Sequence, residues 1–590
     1  MAARNSYIIS KGFRNYFLFT ILFAITDQLC ATIDMIMVGN FVSADAFSAL
    51  DLAIPAETII TGVFMLLTGG AGIISSRLIG DQNFHKASQV ITVSTIASCL
   101  TAICISITAY LFIDDVTGIL CSDSELQQYL KEYLRIYLMG LPAIAIYTVA
   151  ILIVNIDGKP QIAFGAVCAG CIGDIVFNIV FMQVMQMGVE GLALATIVSY
   201  IIPLLIILPL IGSRKLSFRF TRPGRGGFTM FCENIKAGVP YSLPYFAVCV
   251  ITLIVNSAVL SRLGSDALYI WSAGYQILSI VIVIMDCIGG TILVTMGSML
   301  AGCQDVSGLK ILIRNCSAFS ALLIGLIVAL VIIFPIATAS LFGYDLSGSA
   351  MPVEKWISSI ILFGIPYSIC CTKAYLNQAL GRETGSSIQI LSLFAIAIAA
   401  LLLCSVFKSE WMFASMPVAG VAFIVLDAIV TGVILHRNRN LSGYFLLPSY
   451  GDNVLMYQSV PYTKDGLNTA LHSLEIFLER CELPPALCIN ANLVCEEMML
   501  SIVEHNEGKD SDYFFDIIIL DDTDEVKITI KDAGYPFNPI RRYNDTAADA
   551  ILAGDDADLS LRLVNKLCHY LAYNYMYGQN TIYMSFRKNQ

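Results

Sequence analysis

Apolar residues run through the first three quarters of the chain in long stretches with little polar relief. Twelve of these stretches, beginning near Tyr16, Leu52, Ala87, Tyr133, Gln161, Val189, Ala237, Leu268, Leu309, Trp356, Ser387 and Met412, predict membrane-crossing helices. Each reaches the roughly 20 residues that a helix needs to cross a bilayer. The first, Tyr16 to Val38, follows Arg4, Lys11 and Arg14 as a signal peptide would. It is too long for a signal core and carries Asp27 and Asp34, so it predicts a retained first helix. After Arg439 the pattern changes to short alternating runs and amphipathic helices. Asn453–Val460, Tyr513–Leu520, Glu525–Lys531, Leu571–Met576 and Thr581–Phe586 read as strands, and Lys464–Arg480, Leu487–Glu507 and Asp558–Cys568 as helices. Helices on one face of a mixed sheet predict an α/β sandwich.

Composition supports this division. Of 590 residues 57% are apolar and 13% charged, far from the balance of a soluble domain. The net charge of −11 arises entirely after residue 449, where 11 basic residues face 22 acidic ones; the body before it holds 23 of each. An acidic chain argues against nucleic-acid partners, which need phosphate-neutralising cations. In alternate loops of the body the basic residues divide 17 to 5, which predicts that the N-terminus and the acidic tail share the cytoplasmic side.

The body also repeats itself. Asp45-Ala46 recurs as Asp266-Ala267, Leu78/Gly80/Gln82 as Leu300/Gly302/Gln304, and Gly140-Leu141-Pro142 as Gly364-Ile365-Pro366, at offsets of 221, 222 and 224. An offset of six helices preserves direction, so the halves are parallel repeats. The expected domains are an N-terminal six-helix bundle (1–213), a basic linker (214–236), a C-terminal six-helix bundle (237–440) and a cytoplasmic domain (450–590). Such duplication is a transporter architecture, with the substrate site expected between the bundles near the midplane. No GxxxxGK[ST] run occurs, so coupling must come from titratable groups within the helices. An Asp at a helix centre costs about 2.5–3.5 kcal/mol, which singles out Asp27 and Asp34 in helix 1 and Asp174 in helix 5. Asn178 lies four residues after Asp174 and shares its face. Asp286, Asp427 and, as a counter-charge, Lys373 complete the intramembrane set. A buried carboxylate exchanges a proton near neutral pH or binds sodium with neighbouring oxygens. The 18 cysteines are scattered singly apart from one CxxC, so they read as helix packing and no metal site is expected.

Asp34-Met-Ile-Met-Val-Gly39, Gly158-Lys-Pro160 and Gly188-Val-Glu-Gly-Leu-Ala-Leu-Ala-Thr196 together resemble the multidrug and toxic compound extrusion (MATE) transporters over roughly residues 10–440. The resemblance implies antiport, with proton or sodium entry expelling a cationic or amphipathic compound across the bacterial inner membrane. It also implies Asp34 as the helix-1 coupling carboxylate, with Thr196 nearby. On helix 5 the family has Asn followed four residues later by Asp; here the order is Asp174 then Asn178, which moves the charge by about 6 Å along the helix. Asn256 stands at the repeat position of Asp34, so coupling is expected in the N-terminal bundle.

In the tail, Glu496-Glu497-Met-Met-Leu-Ser501 on a helix and Asp532-Ala-Gly534 after a strand resemble the GHKL ATPases, in particular the anti-sigma-factor kinases, over about residues 455–588. The resemblance implies that Glu497 polarises the attacking group, Asp532 reads the adenine amine and Gly534 lets the backbone approach the base. Ser501 replaces the family's magnesium-binding Asn, and the glycine-rich lid is reduced to Gly554-Asp-Asp-Ala-Asp558, whose carboxylates repel phosphates. The expected domain is a pseudoenzyme that senses ATP or ADP with magnesium, or a cytoplasmic protein partner, without turnover. The whole predicts a secondary transporter with a regulatory domain, its partners being membrane lipid and small-molecule substrates. Its rivals are a membrane-anchored sensor that has lost transport, and an exporter of a lipid-linked or peptide substrate.

Overall fold

The computed structural model describes residues 6–588 apart from 44–45, 47–48, 51, 82, 121–123, 214–217, 224–225, 264–270, 272–273, 275–277, 335–352, 408–413, 449–454, 481–482, 507–513, 523, 540–563, 565–566 and 577. Its body is helical: α1 Tyr7–Phe41, α2 Ile54–Gly80, α3 Phe84–Leu111, α4 Ser124–Ile156, α5 Pro160–Val184 and α6 Gly188–Gly212 form one half. The second half contains α7 Gly227–Leu263, α8 Leu278–Gly302, α9 Val306–Ile333, α10 Ile357–Ala379, α11 Glu383–Phe407 and α12 Ser415–Arg437. All but α7 meet a span's length and hydropathy; so does Pro485–His505, here α14, but α14 is not a span. Val494, Met498 and Ile502 of α14 pack into the core of the C-terminal domain, while Glu496 and Glu504 are exposed. The chain is a multi-pass membrane protein with an appended α/β domain.

Glycines let the two halves meet. α2 lies along α7. A Cβ on Gly70 would stand 1.9 Å from the Asn234 carbonyl oxygen, and one on Gly238 1.8 Å from that of Leu66. At the end of α2, a Cβ on Gly80 would stand 2.2 Å from the Met299 carbonyl oxygen of α8, and the Cys303 thiol donates to the Gly80 carbonyl at 3.3 Å. Arg77 donates to the Gln378 carbonyl at 2.8 Å. The seam between the halves is therefore closed where α2, α8 and α10 end. We refer to this as the basic face, because it carries Arg77, Lys86, Lys159, Lys310 and Arg382.

Leu441–Ser442 (β1) and Leu447–Pro448 (β2) form a small hairpin after α12. β3 Leu455–Pro461, β4 Phe514–Asp521, β5 Glu525–Asp532, β6 Tyr570–Met576 and β7 Gln579–Arg587 form a sheet in the order β3-β4-β5-β7-β6. Every described pairing is antiparallel, not mixed as expected: β4–β5 and β6–β7 are joined by tight hairpins, which force antiparallel neighbours. α13 Lys464–Arg480 and α14 cover one face of this sheet. The predicted helix Asp558–Cys568 and the lid Gly554–Asp558 lie outside the described residues apart from the helix's last turn.

Candidate functional site

A cavity of about 230 Å³ opens within the first half, among α1, α2, α4, α5 and α6. Its walls carry Asp34, Glu57, Tyr133, Tyr137, Tyr147, Thr196 and Tyr200. Asp34 lies far along α1, whereas Glu57, Tyr133 and Thr196 lie early in α2, α4 and α6; the cavity thus occupies the half of the body away from the basic face.

Behind this wall the three polar residues expected on helices 1 and 5 meet. Asn178 Nδ2 donates to Asp34 Oδ1 at 2.8 Å and to Asp174 Oδ2 at 3.1 Å, and the Cys30 thiol donates to Asp174 Oδ2 at 3.5 Å. One amide thus bridges the two carboxyl groups. Asp174 Oδ1 and Asn178 Oδ1 are buried with no hydrogen bond among the described residues. Two carboxylates that share one amide donor repel unless a proton or cation neutralises one of them. The α-helix of α5 gives way to π-helix at Ile179, one residue beyond Asn178. Thr196 faces the cavity, its hydroxyl bonded to the Leu192 carbonyl at 3.0 Å. Asp27 lies on α1, but its side chain is outside the described residues.

The other intramembrane charges do not join this group. Lys373 of α10 pairs with both oxygens of Asp427 on α12 at 2.9 and 2.8 Å, donates to Thr431 at 2.5 Å and lies 4.4 Å from the centre of the Tyr444 ring. Tyr444, from the β1–β2 turn, donates in turn to Asp427 at 2.5 Å. The expected counter-charge is thus spent on Asp427. Asp286 accepts from Tyr375 at 2.5 Å and opens a π-helical stretch, Asp286–Leu293.

In the C-terminal domain Asp532 ends β5 and is buried. Its Oδ1 accepts from the Gly534 amide at 2.6 Å, Tyr462 at 3.1 Å and Asn580 at 3.2 Å. Burial nevertheless holds its pKa above the usual carboxylate range, outweighing those bonds and the nearby His505. Its other oxygen makes no hydrogen bond among the described residues. A Cβ on Gly534 would stand 2.6 Å from Oδ1 of Asn506, the residue that follows α14. His505 stacks on Phe537 with ring centres 4.1 Å apart. Glu497 and Ser501 lie one turn apart on α14, both half-buried.

A family model described as MatE matches residues 20–180, and one described as histidine kinase-like ATPase domain matches residues 460–586. The body superposes on the outward-facing conformation of a multidrug resistance MATE family transporter with TM-score 0.65 at 19% identity, covering 72% of this chain and 96% of that one. A MATE in complex with MaD5 gives 0.66 at 20% identity, covering 73% of this chain and 98% of that one. This chain joins a body with the fold of the MATE transporters to a domain that matches the histidine kinase-like ATPase model. Among curated proteins it is similar to the multidrug export protein MepA of Staphylococcus haemolyticus (strain JCSC1435), 24% identical over 42% of this chain and 55% of the relative. MepA of Staphylococcus aureus (strain bovine RF122 / ET3-1) is 21% identical over 35% of this chain and 46% of the relative. The chain thus spans about half the length of the curated relatives it matches.

Within the body the order of Asp174 and Asn178, inverted from the expected one, leaves both residues engaged, because the amide on the later turn bridges the earlier acid to Asp34. Sequence reasoning missed Glu57, whose Oε1 accepts from Tyr133 at 2.8 Å. Its signal was an acid five residues into an apolar run, close enough to the predicted start of helix 2 to pass for an interfacial residue. Cys30 and the paired tyrosines were missed because their types are ordinary in membrane helices.

Proposed function

We propose that the MATE body is an antiporter of a bacterial inner membrane, with the basic face and both termini in the cytoplasm, and that entry of a proton or sodium ion drives export of cationic or amphipathic compounds. The observation that carries this reading is the Asp34–Asn178–Asp174 group at the cavity wall. A proton satisfies the bridged carboxyl pair; sodium, a hard cation, suits an all-oxygen set in which Asp174 Oδ1 and Asn178 Oδ1 have no hydrogen bond among the described residues. On the cavity side Glu57 offers a negative charge, and two tyrosine pairs, Tyr133–Tyr137 at 5.8 Å and Tyr147–Tyr200 at 4.9 Å, offer ring faces that attract organic cations. The name multidrug export protein carried by the staphylococcal relatives supports this substrate class. Ion arrival at the carboxyl pair removes negative charge beside the cavity and so weakens its hold on a cationic substrate. This coupling needs no covalent step.

Asp34→Asn tests the reading in proteoliposomes. Ion-driven efflux should be lost, because the buried ionisable relay group is gone, with insertion into the membrane intact. Unchanged efflux and ion flux would remove Asp34 from coupling, and a wild-type body that moves nothing would favour the membrane-anchored sensor.

The ATPase-like domain is proposed to regulate this cycle by sensing ATP or ADP with magnesium, or a cytoplasmic protein partner, without turnover. The second oxygen of Asp532 is placed to accept an adenine amine, while Ser501 offers magnesium only a hydroxyl. Titration of the full chain in detergent with ATP and ADP, with and without magnesium, tests it; binding that Asp532→Asn abolishes supports a nucleotide sensor. Absence of binding leaves the protein-partner reading.

A further inference from the structure

The five-stranded sheet is covered on both faces. Val526, Ile528 and Ile530 of β5 face α13 and α14. The alternate positions Ile518, Leu520, Lys531 and Tyr583 are equally buried, yet they point away from those helices. Ile517-Ile518-Ile519-Leu520 has lost the alternation of a half-exposed antiparallel strand, the pattern expected where both faces are buried. What covers the second face is the basic face of the body.

The contacts fall on both halves of that body. On the second half, Tyr457 donates to the Gln304 carbonyl at 2.7 Å, and Lys531 Nζ lies 3.8 Å from Asp305 Oδ2 with both side chains fully buried. On the first half, Tyr583 meets Phe84 edge-on at 6.0 Å, Gln579 donates to the Ile8 carbonyl at 2.8 Å and Lys11 donates to the Ala533 carbonyl at 2.7 Å. Lys527, on the same strand face as Lys531, is near enough to Asp81 to lower its pKa against the effect of burial. Gln304 and Asp305 follow α8 as Gln82 and Asn83 follow α2 in the repeat, and Asp305 and Asn83 cap the next helices, accepting from the amides of Gly308 and Lys86. One sheet thus bears on the two repeat-related loops whose preceding glycines, Gly80 and Gly302, touch across the seam.

We infer that the ATPase-like domain is a brace: its sheet fastens the basic ends of the two bundles to each other and holds the transporter closed on that face. The inference rests on the antiporter reading of the body, which requires this face to open during the cycle. For the seam to open, the sheet must release one bundle. The brace is built to let go, because the Lys531–Asp305 pair is loose for a buried ion pair and Lys531 Nζ has no hydrogen bond among the described residues. Both charges regain water on release, so the desolvation that they suffer when docked offsets most of their attraction. The contact fixes where the sheet sits more than how tightly it holds. Lys11 binds the carbonyl between Asp532 and Gly534, so the grip on α1 and the nucleotide-like turn are one structure.

Cys303, buried at the seam, reports opening. Its alkylation by a maleimide is followed by mass spectrometry in the full-length chain in detergent, which requires no transported compound. In Lys527→Met/Lys531→Met, which keeps the aliphatic stems and leaves Asp305 buried in the docked state without its counter-charge, Cys303 should react about tenfold faster than in wild type. Tyr457→Phe, a single hydroxyl, should give a smaller increase. Cys488, in the same domain at the start of α14, should react at the wild-type rate and so report an intact domain. Equal Cys303 rates in wild type and both variants overturn the brace; if the double variant also speeds Cys488, Tyr457→Phe alone decides. Asp34→Asn leaves the brace contacts in place, so a failure of the transport reading would appear as lost flux with the Cys303 response retained.

Discussion

Asn178 donates to two acids at once, and its value depends on those acids being where a membrane makes them expensive. That expense made Asp34 and Asp174 legible from sequence, since an acid in an apolar run has few structural excuses. Glu57 escaped because its position in the first turn of α2 placed it near a boundary that sequence alone locates poorly. Its role is testable by Glu57→Gln, which keeps the bond from Tyr133 and removes only the charge. Binding of a cationic aromatic compound, read by tyrosine fluorescence, should weaken about tenfold as one charge contact is lost, while a neutral amphipath should bind as before. Lys373 and Asp427 present the opposite case: both were visible as charges, but the sequence did not show that they would neutralise each other. Lys373→Met leaves Asp427 with only neutral donors, Tyr444 and Gln389, and should destabilise the body by about 3–5 kcal/mol, the cost of breaking one side of a buried pair. Thermal unfolding in detergent measures this, and the added change Asp427→Leu should recover part of the loss.

Most elements were readable because period and length agree. The strands of the C-terminal domain lie within a few residues of their predicted positions, and α13 matches its prediction. α14 shows the limit of composition, for its hydropathy passes for a span and its acids on one face reveal that it is not. The π-helical stretches at Ile179–Val184 and Asp286–Leu293 left no trace in the pattern, because one extra residue per turn alters hydrogen bonding and not hydrophobicity. Glycines gave a partial signal: Gly69-Gly70 reads as a small-residue interface, but its partner Gly238 is 168 residues away. Gly70→Ala tests that crossing. It places a methyl against the Asn234 carbonyl and should cost about 1–3 kcal/mol as overpacking, visible as a lower melting temperature in detergent. Gly165→Ala, with nothing within 4 Å of the added carbon, should leave that temperature unchanged.

At the scale of the molecule, the break in pattern after Arg439 separated two bodies cleanly, and the weak repeat identified the halves of the first. How the bodies meet was not legible, because the contacts use one lysine here and one carbonyl there, with no local pattern to mark them. Only β4, apolar on both faces, carried a hint. The hairpin Leu441–Pro448 has a consequence of its own. It leaves α12 and is fixed to the body through Tyr444 on Asp427, so β3 begins only seven residues beyond its end. A tether that short holds the domain at an effective concentration of about millimolar or above. Contacts too weak to capture a separate protein then suffice to keep the domain engaged, and a modest competing ligand suffices to displace it. Fusion in one chain turns a poor binding surface into a responsive one.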